Sequence, residues 1–184
     1  MNDIIESLFG KLQINYTDSI KFYNSKTAYY EFSNYYECKI YFQNKVYPSS
    51  EHAYQASKYP DSYYRELIVN ANTPNKARIL ARREYKYKYE WMKPLNLLIS
   101  ESFKNGIFPY SDFEKYKDLI MYNIVLSKFK DNKNLKDLLL QTNDRYIIEN
   151  SPIDSYWGIG SDSTGTNKLG KILCIVRNIL QMDV

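Results

Sequence analysis

The segment PSSEHAYQASKY, residues 48–59, concentrates ionisable and amide side chains at a helical repeat. On a helix, Glu51, Gln55 and Lys58 fall at i, i+4 and i+7 and project from one face. Glu51 and Lys58 would then stand about 10 Å apart along the axis, too far for an intrahelical ion pair but suited to gripping two ends of a small ligand. Glu51 also falls in the first turn, where the helix dipole favours an ionised carboxylate. A solvated polar face carries the same spacing, so this segment alone leaves both readings open. His52 is the only histidine in the chain. That leaves little room for a structural zinc site or for a Ser-His-Asp triad elsewhere. The only cysteines, Cys38 and Cys174, form neither a CxxC pair nor a disulfide framework. Cys38 with His52 could make a nucleophile pair, but nothing local marks it. Chemistry falls instead to carboxylates, lysines and backbone amides.

A second concentration lies in SPIDSYWGIGSDSTGTNKLGK, residues 151–171. Four of the six glycines, Gly158, Gly160, Gly165 and Gly170, fall here, ahead of an apolar helical repeat. Glycines let backbone amides turn toward an anion, and a helix N-terminus adds positive potential. GTNKLGKI imitates a phosphate-binding loop, but Ile172 stands where a magnesium-binding Ser or Thr is needed. The dinucleotide pattern GxGxxG also fails, because Ser163 occupies the third glycine position. Asp154 and Trp157 offer an acid and a stacking ring at the start of the loop. A long surface loop ending in a helix is the competing reading. A third stretch, ARREYKYKYEWMK at 81–93, interleaves basic residues with Tyr85, Tyr87 and Tyr89. Such alternation suits single-stranded nucleic acid, and equally a strand or a charged helix end.

The elements that must position these residues form one domain. At 184 residues the chain is long enough to bury a sizeable core. A short helix is expected within 1–13, strands at 20–23, 39–42 and 46–47, and a hairpin turn at Gln43 and Asn44. Ser49 caps a helix running to about Tyr59, and Thr73 with Pro74 starts another that runs through Arg83. Helices are further expected at 113–129, 135–140 and 169–180, with a strand at 146–148. The result is a helix-rich α+β domain over 19–184 with a small antiparallel β element, preceded by an extension at 1–18. The 20 tyrosines, with many Lys, Asn and Ile, suggest AT-rich coding, so a lone tyrosine is not read as functional. The net charge of +4 is compatible with a phosphate-bearing ligand without demanding nucleic acid. No run of 18 apolar residues and no secretory leader is present, so a soluble cytoplasmic protein with no membrane partner is expected.

Read in order, IKFYN, YYEFSNYY, YPSSEHAYQASKY, ARILARR, IVLSKF, LKDLLLQT and IIENSPIDSYWGIGSDSTGTNKLGKILCIVR resemble the blocks of the NADAR family. The likeness runs from about Ile20 to Leu180. It implies a compact α+β domain that cleaves N-glycosidic bonds of ribose or ADP-ribose. Carried onto this sequence, it makes Glu51 and Asp154 the working carboxylates and Lys58 the lysine facing the anomeric carbon. Phe32, Ser33 and Asn34 would contact the ligand, Asn34 through the sugar hydroxyls, with Gln55 beside them. Trp157 would wall the pocket, with Gly158, Gly160, Asn167 and Gly170 closing the loop around it. The family's aromatic before Lys128 and Phe129 falls in register on Phe113 rather than Trp91, because residues 84–112 look inserted; either Phe113 takes that role or Trp91 reaches it from elsewhere, and the position stays unassigned.

Such a site would use Glu51 and Asp154 for proton transfer and charge stabilisation, and Lys58 for covalent attack on the anomeric carbon. The glycine loop would cradle phosphate oxygens, with no metal or other cofactor. The expected substrate is ADP-ribosylated guanine in a nucleotide or in nucleic acid, which makes nucleic acid an expected partner. Phosphorylated ribosylamino-pyrimidines of riboflavin synthesis and a non-catalytic ADP-ribose-binding role are the alternatives.

Overall fold

The computed structural model describes residues 3–82 and 93–182. The basic-aromatic stretch falls mostly outside them, as does Trp91. Along the chain run α1 (Asp3–Phe9), β1 (Asn15–Phe22), a 3-10 turn (Tyr30–Phe32), β2 (Glu37–Phe42) and β3 (Lys45–Ser49). There follow α2 (Ser50–Ala56), α3 (Tyr63–Val69), α4 (Pro74–Arg82) and α5 (Lys93–Lys104). The chain continues through α6 (Phe113–Asp131), α7 (Lys133–Leu140), β4 (Arg145–Glu149) and α8 (Lys168–Met182).

β2 and β3 form the expected antiparallel hairpin. Gln43 and Asn44 both adopt positive φ, 49° and 58°, which matches the twist of a two-residue hairpin turn. Helix α2 starts where Ser49, in extended conformation, accepts the His52 N–H on its hydroxyl. The His52 ring bridges Ser49 Oγ at 2.8 Å and the Ala71 carbonyl at 2.9 Å, so the histidine holds α2 to the chain entering α4. Every residue of α2 is buried, so the solvated-face alternative does not apply to it.

Elsewhere the structure adds to the sequence expectation. β1 and β4 pair in parallel, with Ile20 opposite Ile147 and Phe22 opposite Glu149. The first eighteen residues supply α1, which packs on α8, and the beginning of β1. Helix α3, capped by Ser62, was not anticipated, and α5 lies within the segment read as an insertion. The core gathers where α8 crosses β4 and α6. Ile172, Leu173, Val176 and Leu180 of α8 meet Ile147, Ile124, Val125 and Phe129 in one buried cluster. Each such side chain contributes roughly 1.5–3 kcal/mol through burial. This core fixes the end of β4 and the loop beyond it relative to α2.

Candidate functional site

Between α2, the 3-10 turn, α4 and the loop after β4 lies a cavity of about 490 Å3. That volume is within the ordinary range for small-molecule sites. Glu51, in the first turn of α2, reaches its wall. The Glu51 N–H donates to the Asn34 carbonyl at 2.9 Å, and Gln55, one turn on, donates its amide to Glu51 Oε1 at 2.8 Å. Burial raises the Glu51 pKa, while the Gln55 hydrogen bond and the positive charges of Lys58, Arg82 and Arg78 oppose the rise. Ser33 and Asn34 bring the 3-10 segment into the same wall. Asn34 Oδ1 and Gln55 Oε1 are buried acceptors without a partner among the described residues. Such orphaned acceptors suit the hydroxyl donors of a sugar.

The opposite wall comes from the loop after β4. Asp154 Oδ1 accepts the N–H groups of Tyr156 at 2.9 Å and Trp157 at 2.7 Å, so its carboxylate is held by the turn it closes. Trp157 reaches the cavity and meets Tyr54 edge-on, ring centroids 5.5 Å apart. Tyr54 in turn meets Phe113 edge-on at 5.4 Å, which places Phe113 within the aromatic wall.

Five expected ligand contacts, Phe32, Gly158, Gly160, Asn167 and Gly170, have a different placement. Phe32 does not line the cavity; it is buried against Phe22, Tyr29 and Phe129 in the core. The glycine loop does not present a row of amides to an anion, because its N–H groups are spent within the loop. Gly160 N–H bonds the Asp154 carbonyl, Gly165 N–H that of Ile159, and Asn167 N–H that of Gly158. The glycines serve close packing instead. A Cβ on Gly158 would lie 2.6 Å from the Glu149 carbonyl, and one on Gly170 2.1 Å from the Ile147 carbonyl. Gly160 takes a φ of +71° in the turn. Asn167 lies behind the wall: its Oδ1 accepts the Glu149 N–H, and its amide donates to the Ile147 carbonyl and the Tyr146 hydroxyl, each at 2.9 Å.

Lys58 also departs from the simple helical picture, because α2 ends at Ala56. It is not among the side chains lining the cavity. Its ammonium lies 5.2 Å from the Tyr54 ring centre and 5.6 Å from that of Phe113. Burial brings its pKa down to about 8, with Glu51 opposing and Arg82 assisting the shift.

Three charged residues of the cavity were missed from sequence. Glu149, the last residue of β4, lines it as a second glutamate, half-buried, with its Oε2 fully buried. Burial pushes its pKa up to about 8, with the Asp154 and Glu51 carboxylates adding to the rise. Arg78 and Arg82 project from α4 into the same cavity. Arg78 also bonds Tyr35, and its Nη2 donates to Asn75 Oδ1 at 3.3 Å. Their i, i+4 spacing within ARILARR was the available signal. Glu149 had none, since nothing local distinguishes it within IIEN. Among the described residues no cluster of His, Cys, Asp or Glu could hold a metal, and no helix is long and apolar enough to cross a membrane.

A helix-rich α+β fold surrounding a ligand-sized hollow, with two glutamates and two arginines in its lining, defines the class of site. The family model described as NADAR domain matches residues 21–181, and the chain belongs to that family. The N-glycosidase YbiA of Escherichia coli strain K12 is 30% identical over 164 residues, 89% of each chain. An N-glycosidase of Nostoc punctiforme is 33% identical over 162 residues, covering 86% of this chain and 90% of that one. A riboflavin biosynthesis protein of Vibrio vulnificus is 35% identical over 134 residues, 73% of this chain but 31% of that protein. The NMR structure of the Escherichia coli protein YbiA superposes with a TM-score of 0.71 at 29% identity, covering 94% of this chain and 91% of that one.

Proposed function

We propose that the chain is an N-glycosidase that hydrolyses the bond between the anomeric carbon of a phosphate-bearing ribose and a nitrogen, with ADP-ribosylated guanine as its substrate. The observation that carries this reading is Glu51, a buried carboxyl in the cavity wall beside the unpartnered acceptors of Asn34 and Gln55. When the glycosidic bond stretches, the anomeric carbon gains positive charge, and a carboxylate fixed by Gln55 is suited to stabilise it. The orphaned acceptors take the ribose hydroxyls, and Trp157 with Tyr54 covers the apolar side of the ligand. Arg78 and Arg82 replace the glycine loop as the groups that bind phosphate. Asp154, rigidly held at one oxygen, orders the loop wall and presents its carboxylate to the cavity.

The names of relatives favour a second substrate. Both the Vibrio vulnificus protein and a chloroplastic protein of Arabidopsis thaliana, 29% identical over 113 residues, are named as riboflavin biosynthesis proteins. A phosphorylated ribosylamino-pyrimidine presents the same ribose, phosphate and nitrogen to the site.

The experiment is a turnover panel with ADP-ribosylated guanosine, ADP-ribosylated DNA and a ribosylamino-pyrimidine 5-phosphate, run with the native chain and Glu51→Gln. The native chain is expected to release the base, and E51Q to lose about 100-fold or more in kcat while retaining ADP-ribose affinity. Binding of ADP-ribose without turnover of any of the three would leave a recognition module and overturn the enzyme reading.

A further inference from the structure

We propose that Glu149 is the acid–base residue of this cavity, giving a proton to the departing nitrogen and recovering one from the attacking water. The assignment rests on the N-glycosidase reading above and adds a catalytic residue to it. Glu149 stands at the end of β4, where its backbone is held on both sides. Its N–H donates to Asn167 Oδ1 at 2.9 Å, and its carbonyl accepts the Ile159 N–H at 3.1 Å. Parallel pairing with Phe22 fixes the strand beneath it. The side chain lines the same cavity as Glu51, yet its Oε2 is buried and has no hydrogen-bond partner among the described residues. A buried carboxyl oxygen without a partner, in the wall of a ligand-sized hollow, is poised to bond with the ligand.

Burial first, and then its acidic neighbours, keep the carboxyl neutral. Asp154 from the loop and Glu51 from α2 are both acidic and disfavour a third negative charge. Across the cavity, Arg78 and Arg82 of α4 act on Glu51. On α8, Lys168 and Lys171 pair with Glu6, while Arg177 donates to Thr142 and to the Arg145 carbonyl. Lys21 on β1 is exposed. Glu149 therefore remains protonated to about pH 8, as a proton donor at neutral pH must. Burial raises Glu51 as well, but there the Gln55 hydrogen bond and three cations oppose the rise, and Glu149 has no such counterweight. Carboxyls in surroundings this unlike can divide into an acid and a charge stabiliser.

The steps balance without a further reactant. As the bond from the anomeric carbon to nitrogen breaks, its electron pair goes to nitrogen, which takes the Glu149 proton. The positive anomeric carbon faces the Glu51 carboxylate. A water oxygen then adds to that carbon, and its proton passes to the Glu149 carboxylate, restoring the acid. The products are the free base and the ribose with a hydroxyl in its place.

The test compares two leaving groups in Glu149→Gln and Glu149→Asp. One substrate is ADP-ribosylated guanosine or the ribosylamino-pyrimidine 5-phosphate, whichever the native chain turns over. The other is p-nitrophenyl riboside 5-phosphate, whose phenolate departs without a proton. E149Q is expected to lose about 100-fold or more on the N-riboside and only a few-fold on the p-nitrophenyl compound, with ADP-ribose affinity kept. The native alkaline limb near pH 8 should vanish in E149Q and persist at a lower rate in E149D. Equal losses on both substrates, or an alkaline limb that survives in E149Q, would overturn the assignment while leaving the glycosidase reading intact. Absence of native turnover on every N-riboside sinks both.

Discussion

Replacing Asn167 by alanine tests whether one side chain ties the loop to β4 and thereby sets the reach of Glu149. Asn167 is 2% exposed and makes three side-chain hydrogen bonds across that junction, to the Glu149 N–H, the Ile147 carbonyl and the Tyr146 hydroxyl. Removing it leaves the Glu149 N–H without its acceptor, at about 1–3 kcal/mol, and removes two further bonds worth about 0.5–1.5 kcal/mol each. Its φ of 50° adds about 1 kcal/mol, because alanine tolerates the left-handed region less well than asparagine. The expected loss is about 3–7 kcal/mol, a large share of the 5–15 kcal/mol that typically holds a domain together. Urea denaturation followed by tryptophan fluorescence reads it as a lower midpoint at an unchanged slope. Asn167→Asp keeps the acceptor for Glu149 and tolerates the backbone, so it should lose less. Asn167→Gly relieves the backbone alone and should recover about 1 kcal/mol relative to alanine. A loss below about 1 kcal/mol for alanine would refute the reasoning, because three bonds across a buried junction cannot be that cheap.

Other outcomes follow from the same geometry. Arg82→Ala should raise KM for phosphate-bearing substrates about tenfold and leave the dephosphorylated riboside unaffected; a matched effect on both would remove Arg82 from phosphate recognition. Borohydride during turnover should leave Lys58 unmodified, because its amine lies by the Tyr54 and Phe113 rings and outside the cavity lining; a ribose adduct on Lys58 would replace direct water attack by a covalent step. Glu149, raised from the usual 4.5 to about 8, binds more protons folded than unfolded, so its contribution to stability is full below about pH 4.5 and is lost as pH rises toward 8. Thermal melts across that window should flatten in E149Q. Lys128 has the opposite sign. Burial brings it down to about 8 from 10.5, so its contribution makes stability rise between those values, where the unfolded lysine still holds its proton; Lys128→Met should remove its share of that rise, the remainder belonging to Lys58.

Much of this protein was legible in local pattern. The Gln43–Asn44 hairpin turn, the Ser49 and Thr73–Pro74 helix starts and the apolar repeats of α6 and α8 depend on neighbouring residues, so spacing revealed them. Helix α3 escaped because seven residues carry too few turns for a clear period.

Within the site, Glu51, Gln55, Asp154 and Trp157 were named from the sequence, and the structure brings them to one cavity. Tertiary structure alone decided the rest. The parallel pairing of β1 with β4 joins segments far apart in the chain and sets the end of β4 against the cavity, which is how an unremarkable Glu149 came to line it with a buried, unpartnered Oε2. The glycine loop folded onto its own carbonyls, while Arg78 and Arg82 of α4 came to line the cavity. A sequence lists the donors and acceptors a chain possesses; which remain unspent depends on which backbones come together, and only the packed fold determines that.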